Sequence, residues 1–226
     1  MEILTNSKLE AGKIEICFTD NLLIGKTSKA RIKNIGSKIL RINSFFFEYL
    51  TGFNVPTAYE KVSEEGCMVF EEFDRFGFHI KIQNIVNKKN SKIFGLKEFS
   101  EINIPLYEFF LDDEEKFLMS DSHLNSFGLS STEEYKMMLR ICSKTNAVLK
   151  SFFERRGFIF AGINCNFGKL KSGKLVIVGD FSPFGLKIVD AKNQYDKNFA
   201  FNLKSGTALS HYADLLTDLI IINEKV

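Results

Sequence analysis

Along residues 158–168 apolar and polar side chains alternate at a period of two, as they do in an extended strand. Gly162, Asn164 and Asn166 share one face, and Ile159, Ala161, Ile163, Cys165 and Phe167 share the other. The second face is apolar and packs. The first is small, polar and uncharged, a poor surface for acid–base chemistry. After a short turn, residues 175–179 read as a second strand. Phe76, Phe78, Ile80 and Ile82 alternate in the same way with Gly77, His79, Lys81 and Gln83, so His79, Lys81 and Gln83 share one face of a strand over 76–82. A strand over 67–70 precedes it. Near the start, 13–18 and 22–24 read as a hairpin that turns at Asp20 and Asn21.

Elsewhere helical spacing replaces alternation. Ile39, Ile42, Phe46 and Tyr49 predict a helix over 37–50 that stops at Gly52. The longest helix is predicted over 131–155. Ser131 and Glu134 form its capping box, Gly157 closes it, and Tyr135, Met138, Leu139, Cys142, Leu149, Phe152 and Phe153 make its buried stripe. A last helix over 207–222 turns Leu209, Tyr212, Leu216, Leu219 and Ile220 inward. Strands first, helices between them and a late hairpin, with no internal repeat, predict an α+β protein.

Composition narrows the class without naming a function. A chain of 226 residues can bury a substantial core, in one unit or two joined lobes. With 24 Phe and no Trp, aromatic packing is expected to dominate that core. The 45% hydrophobic and 26% charged content describes a soluble globular protein. The net charge of +2 gives no argument for nucleic acid, and the basic residues are not gathered in one run. No apolar run approaches the ~18 residues that span a bilayer, and residues 1–10 lack the apolar stretch of a signal peptide. Neither nucleic acid nor membrane is expected as a partner, and the cytoplasm is the expected compartment. Cys17, Cys67, Cys142 and Cys165 are scattered without a CxxC pair, which argues against zinc and reads as four reduced, mostly buried thiols.

The order of Asn166, Phe167 and Gly168, a turn, a strand, then Asp180, Phe181, Ser182 and Pro183, with Asp196 and Lys197 beyond, resembles SAICAR synthetase, the ligase of purine biosynthesis. In that family the first strand usually reads Asp-Phe-Lys-Leu-Glu-Phe-Gly and the second Asp-Glu-x-Ser-Pro-Asp. The resemblance continues through 104–110, through Ser126, Phe127 and Gly128, and through Gly12 and Lys13, and so covers most of the chain. It implies an α+β, SAICAR synthetase-like fold with two lobes around a nucleotide cleft: a mainly β lobe over 1–75 and a larger α+β lobe over 76–226.

Departures from the family pattern gather on the presumed pocket. Gly162 stands where an Asp is expected, Asn164 where a Lys is, Asn166 where a Glu is and Gly179 where an Asp is, while Asp180 replaces a Glu. Phe184 occupies an Asp position, Lys187 an Arg position and Val189 a Trp position. Gln83 replaces an Arg and His79 a Glu, and 22–33 is too short for an acidic loop of the family. A ligase that spends ATP holds Mg²⁺ through carboxylates and phosphate oxygens, and stabilises an acyl phosphate with fixed cations. These losses predict a protein that keeps the scaffold without the family reaction, with no catalytic residue assigned, serving as a binding or partner protein. The alternative is a repurposed ATP-dependent amide ligase using ATP and Mg²⁺ on another carboxylate and amine; the original purine reaction is a third.

The candidate site residues follow from the same resemblance. Gly12 and Lys13 are nucleotide-binding candidates without a Walker context, and Asp180 is the metal candidate, although a lone carboxylate there also serves as a turn cap. Lys88, Lys89 and Ser91 are substrate-binding candidates, against the plainer reading of a solvated loop. The acidic run 112–115 reads as a solvated loop. The implied ligand is a nucleotide or small molecule, and the implied assembly a homodimer or a complex with a partner protein.

Overall fold

Ile14, Ile16 and Phe18 face the core while Lys13, Glu15 and Cys17 face away, the alternation that makes β2 (Lys13–Ile24) one face of a sheet. A computed structural model of the chain describes residues 2–24, 28–112, 114–192 and 195–221, with the side chains of 2–4, 6, 8–10, 24, 28 and 114–116 also outside the description. Asp113 of the acidic run and Ile222 of the last predicted helix therefore lie outside the described residues. β1 (Glu2–Glu10) turns at Ala11 and Gly12 into β2, and β3 (Ser28–Arg31) pairs back on β2. After α1 (Ile35–Gly52), strands β4 (Tyr59–Val62) and β5 (Met68–Glu71) complete an antiparallel sheet in the order β1-β2-β5-β4.

The chain then crosses at Glu72 into a second sheet. Its elements are β6 (Phe73–Ile85), α2 (Lys88–Phe94), β7 (Glu101–Leu111), β8 (Glu114–Met119), α3 (Asp121–Ser126), α4 (Thr132–Glu154), β9 (Phe158–Leu170), β10 (Leu175–Gly179), β11 (Lys187–Asp190) and α5 (Gly206–Ile221). The sheet order is β10-β9-β6-β7-β8, with β11 also on β9. β10 and β11 lie end to end along one edge of β9, because Gly179 pairs with Asn166 and Lys187 with Gly162. Their connecting loop, 180–186, is thereby held beside Asn164. The fold class is α+β.

Several expectations change. Asp20 and Asn21 do not turn: β2 runs through them, Asn21 pairs with Arg31 of β3, and the hairpin turn falls at Ala11 and Gly12 instead. The Asp20 carboxylate accepts the Asn34 and Gly36 backbone N–H groups at 3.0 and 3.1 Å, so a turn-forming residue caps α1. Residues 88–91 are not a loop but the start of α2, whose N-cap Asn87 accepts the Asn90 N–H at 2.8 Å. Cys17 and Cys67 are not free thiols. Ile16 pairs with Met68 across β2 and β5, which sets the two cysteines opposite each other with Cα atoms 4.3 Å apart, and they form a disulfide. Cys142 and Cys165 are free and buried, as expected, but cysteine usage no longer argues for a reducing compartment.

The core is aromatic. Phe46, Phe47, Phe152, Phe153, Phe160 and Phe181 are at most 1% exposed, and Phe47 meets Phe181 edge to face at 4.9 Å, joining α1 to the loop after β10. Such pairs add roughly 0.5–1.5 kcal/mol each beyond the area they bury. The strand β9 departs from simple alternation: Phe158 and Phe160 face this core together with Ile163, Cys165 and Phe167, whereas Ile159 and Ala161 pack on the opposite side with Ile85 and Val189. A register shift between the Lys187–Gly162 and Ile188–Phe160 pairs inserts one residue and inverts the face. No helix among the described residues is long and apolar enough to cross a membrane.

Candidate functional site

The polar faces foreseen on two strands meet as cross-strand neighbours. In the β6–β9 ladder His79 pairs with Asn166, Lys81 with Asn164 and Gln83 with Gly162; β7 continues the rows with Phe110, Glu108 and Leu106. Asn164 borders one cavity and Asn166 another, and Phe184 lines both.

The first cavity, of about 390 Å³, is bordered by Lys81, Lys88 and Lys187, with Glu98 its one acidic residue. Its floor is Gly162, where a Cβ atom would stand 2.1 Å from the Ile82 carbonyl oxygen, so no side chain fits there without moving the strand. Gln83 is 3% exposed. Its Oε1 accepts from the Asn87 side chain at 2.7 Å, and Asn87 is committed by its own oxygen to capping α2, so the Gln83 amide must present its NH₂ group elsewhere. That buried Nε2 has no partner. The Lys187 ammonium donates to the Pro183 carbonyl at 2.7 Å and lies 5.8 Å from the centre of the Tyr212 ring. Burial pulls its pKa down to about 8, opposed by the nearby Asp180 charge and reinforced by Lys81.

The second cavity, of about 380 Å³, opens between the two sheets, walled by Ile16, Phe18, Phe47 and Phe70 and edged by Arg75, Asn166 and Asp180. One Arg75 nitrogen donates to Asp112 at 2.9 Å and to the Asn166 side-chain oxygen at 3.2 Å, while Asp112 also holds His79 Nδ1 at 2.9 Å. Asp112, read from sequence as part of a solvated loop, is thus tied into the site. The Asp180 carboxylate accepts the Ser182 N–H at 2.7 Å and the Ser182 hydroxyl at 2.8 Å. Close packing raises its pKa, against those bonds and the charges of Lys187 and Arg75.

Of the residues singled out from sequence, Lys88 borders the first cavity and Asp180 the second; Lys89, Ser91, Gly12 and Lys13 border neither. Lys13 leaves β2 on the face away from the core and pairs with Glu60. Lys81 and Lys187 also border the first cavity, and their sequence signals are weak: Lys81 lies on the polar face of its strand and Lys187 at a family arginine position. Arg75 had no local signal at all. Mg²⁺ does not fit this donor set. Asp180 is a single carboxylate already holding two hydrogen bonds, its neighbours Asn164 and Asn166 are neutral, and Arg75 and Lys187 bring positive charge. Among the described residues no group of three or more His, Cys, Asp or Glu side chains is arranged to hold a metal.

The profile of the family described as SAICAR synthetase matches residues 8–212. The phosphoribosylaminoimidazole-succinocarboxamide synthase of Aquifex aeolicus is 30% identical over 164 residues, covering 72% of this chain and 76% of its own. That of Persephonella marina is 29% identical over 193 residues, covering 83% and 80%. Among solved structures, a SAICAR synthetase from Pyrococcus horikoshii superposes with a TM-score of 0.85 at 23% identity, over 96% of this chain and 97% of that one. A SAICAR synthetase in complex with ADP gives 0.82 at 24% identity, over 97% of both.

Proposed function

Because this chain belongs to the SAICAR synthetase family and has its fold, we propose that it is a member that has left the family's ATP-dependent amide ligation and serves as a binding protein for a small anion, held by Lys81, Lys88 and Lys187. One observation carries this reading: Asp180, the remaining carboxylate at the presumed metal position, is occupied by its own turn and flanked by cations. A divalent ion about 4 Å from one carboxylate gains roughly 8 kcal/mol at an effective dielectric constant near 20, and loses a similar amount for each cationic side chain at that distance. Arg75 and Lys187 both act on Asp180 from farther away, and each offsets part of that gain.

The same cations favour an anion bound without metal. Three lysines border the first cavity against one glutamate, and the unpartnered Gln83 NH₂ group supplies a buried donor for an acceptor oxygen. The ADP bound by one structural relative belongs to that protein; here the lysine near the start of the chain is engaged by Glu60. The test is a pair of calorimetric titrations. Inorganic phosphate is expected to bind saturably, and Lys81→Met to weaken it by about tenfold, the loss of one partly screened charge contact. Mg-ATP is expected to give no saturable heat. Saturable, Mg²⁺-dependent ATP binding sinks the proposal.

A further inference from the structure

We propose that Lys187 captures carbonyl compounds: its Nζ condenses with the aldehyde or keto group of a small anion whose acidic group lies against Lys81 and Lys88. This deepens the anion-binding reading of the same cavity and rests on it. The resemblance placed Lys187 at a family arginine position, and a guanidinium, always charged, does not make this bond, whereas a lysine amine does.

Three features of the cavity agree. Lys187 starts β11 opposite Gly162, which has no side chain, and both residues border the cavity. Its hydrogen bond is to a neutral acceptor, the Pro183 carbonyl, and not to a carboxylate that would lock it as an ammonium. Lys81 and Lys88 supply two further cations for the acid group of the ligand, and Gln83, whose buried Nε2 has no partner, borders the same cavity. Burial and the Lys81 charge also make the Lys187 amine easier to deprotonate than a surface lysine.

The step balances without an oxidant or reductant. The neutral amine attacks the carbonyl carbon, a C–N bond forms, and the C=O π pair moves to oxygen, which gains a proton as nitrogen loses one. The resulting carbinolamine hydroxyl takes a proton from solvent and departs as water. The nitrogen lone pair forms the C=N bond, and the second nitrogen proton is released to solvent. Net, amine and carbonyl give imine and water.

The experiment uses the full chain with pyridoxal 5′-phosphate and, separately, glyoxylate, each followed by borohydride reduction and peptide mapping by mass spectrometry. Lys187 is expected to carry the reduced adduct at least about tenfold faster than the exposed Lys89 and Lys174, because its lowered amine pKa enlarges the neutral fraction and each unit does so about tenfold. Inorganic phosphate should protect it. Lys187→Arg, which keeps the charge, and Lys187→Gln should both lose that adduct while melting cooperatively. Labelling of Lys89 and Lys174 at the same rate as Lys187, or an unlabelled Lys187, overturns the proposal. If phosphate binds in the calorimeter and Lys187 stays unlabelled, capture is wrong and anion binding stands; if Lys187 is labelled without phosphate protection, the anion-binding reading fails instead.

Discussion

Gly162 admits no side chain, and that changes what its departure from the family pattern means. A Cβ atom there would lie 2.1 Å from the Ile82 carbonyl oxygen. Gly162→Asp is therefore expected to lose about 3 kcal/mol or more in urea unfolding, from overpacking and a buried charge. A loss below about 1 kcal/mol would show that the β9 bulge relaxes freely. Lys187 gives a pH signature. Its folded pKa, about 8, lies below the usual lysine value of 10.5, so folding disfavours the ammonium: the penalty is present in full below pH 8 and disappears as pH rises toward 10.5. Stability should rise across that window by up to about 3 kcal/mol, and Lys187→Met should flatten the rise; an unchanged profile in the variant would assign it elsewhere. Asn84 and Asn146 exchange two buried hydrogen bonds, at 2.8 and 3.1 Å. Either Ala variant alone should cost ~2 kcal/mol because it orphans a buried amide, and the double variant clearly less than the sum.

At the scale of elements, periodicity read correctly where one face stays buried from end to end. The α4 stripe and its Ser131–Glu134 capping box lie as expected, with Glu134 Oε2 accepting the Ser131 N–H at 2.9 Å. The α5 stripe does likewise, through Leu209, Tyr212 and Leu216. Alternation misled in β9, where the extra residue beside Gly162 inverts which side Ile159 and Ala161 face. It misled at Asp20 because the favoured turn chemistry was outweighed by pairing of Asn21 with Arg31 and by the open N-terminus of α1. Asp20→Ala should lower stability by about 1 kcal/mol, the usual worth of a helix cap. The bonds to Gly36 and Asn34 hold the Asp20 carboxyl below its usual pKa of 3.8, so the cap contributes above that pH and fades as pH falls through the lowered value. A thermal melt of the variant equal to the parent at pH 7 would remove Asp20 as the cap.

Across the whole molecule, two sheets meet over an aromatic core, and the Cys17–Cys67 disulfide ties β2 to β5 over a sequence separation of 50. Closing a loop of that size restricts the unfolded chain by up to about 4 kcal/mol, with measured values usually ~2–4. A phosphine reductant and the Cys17→Ser variant should lower the melting temperature equally; a reductant effect absent in the parent protein would show the pair contributes nothing. The two sheets place Asn164 and Asn166 beside two cavities, with Phe184 bordering both. That arrangement is what sets Arg75, from the first strand of the second sheet, beside Asn166 and near Asp180.

The order of amino acids by itself determined the α+β class, the helices with continuous apolar stripes, the family, and the neutral character of the Gly162, Asn164 and Asn166 face. Each depends on local spacing or local motif. Only the tertiary structure decided that Cys17 meets Cys67, that Lys13 turns away to Glu60, and that Lys81, Lys88 and Lys187 converge on one cavity. Register between strands far apart in sequence sets these contacts, and a one-residue bulge is enough to redirect them.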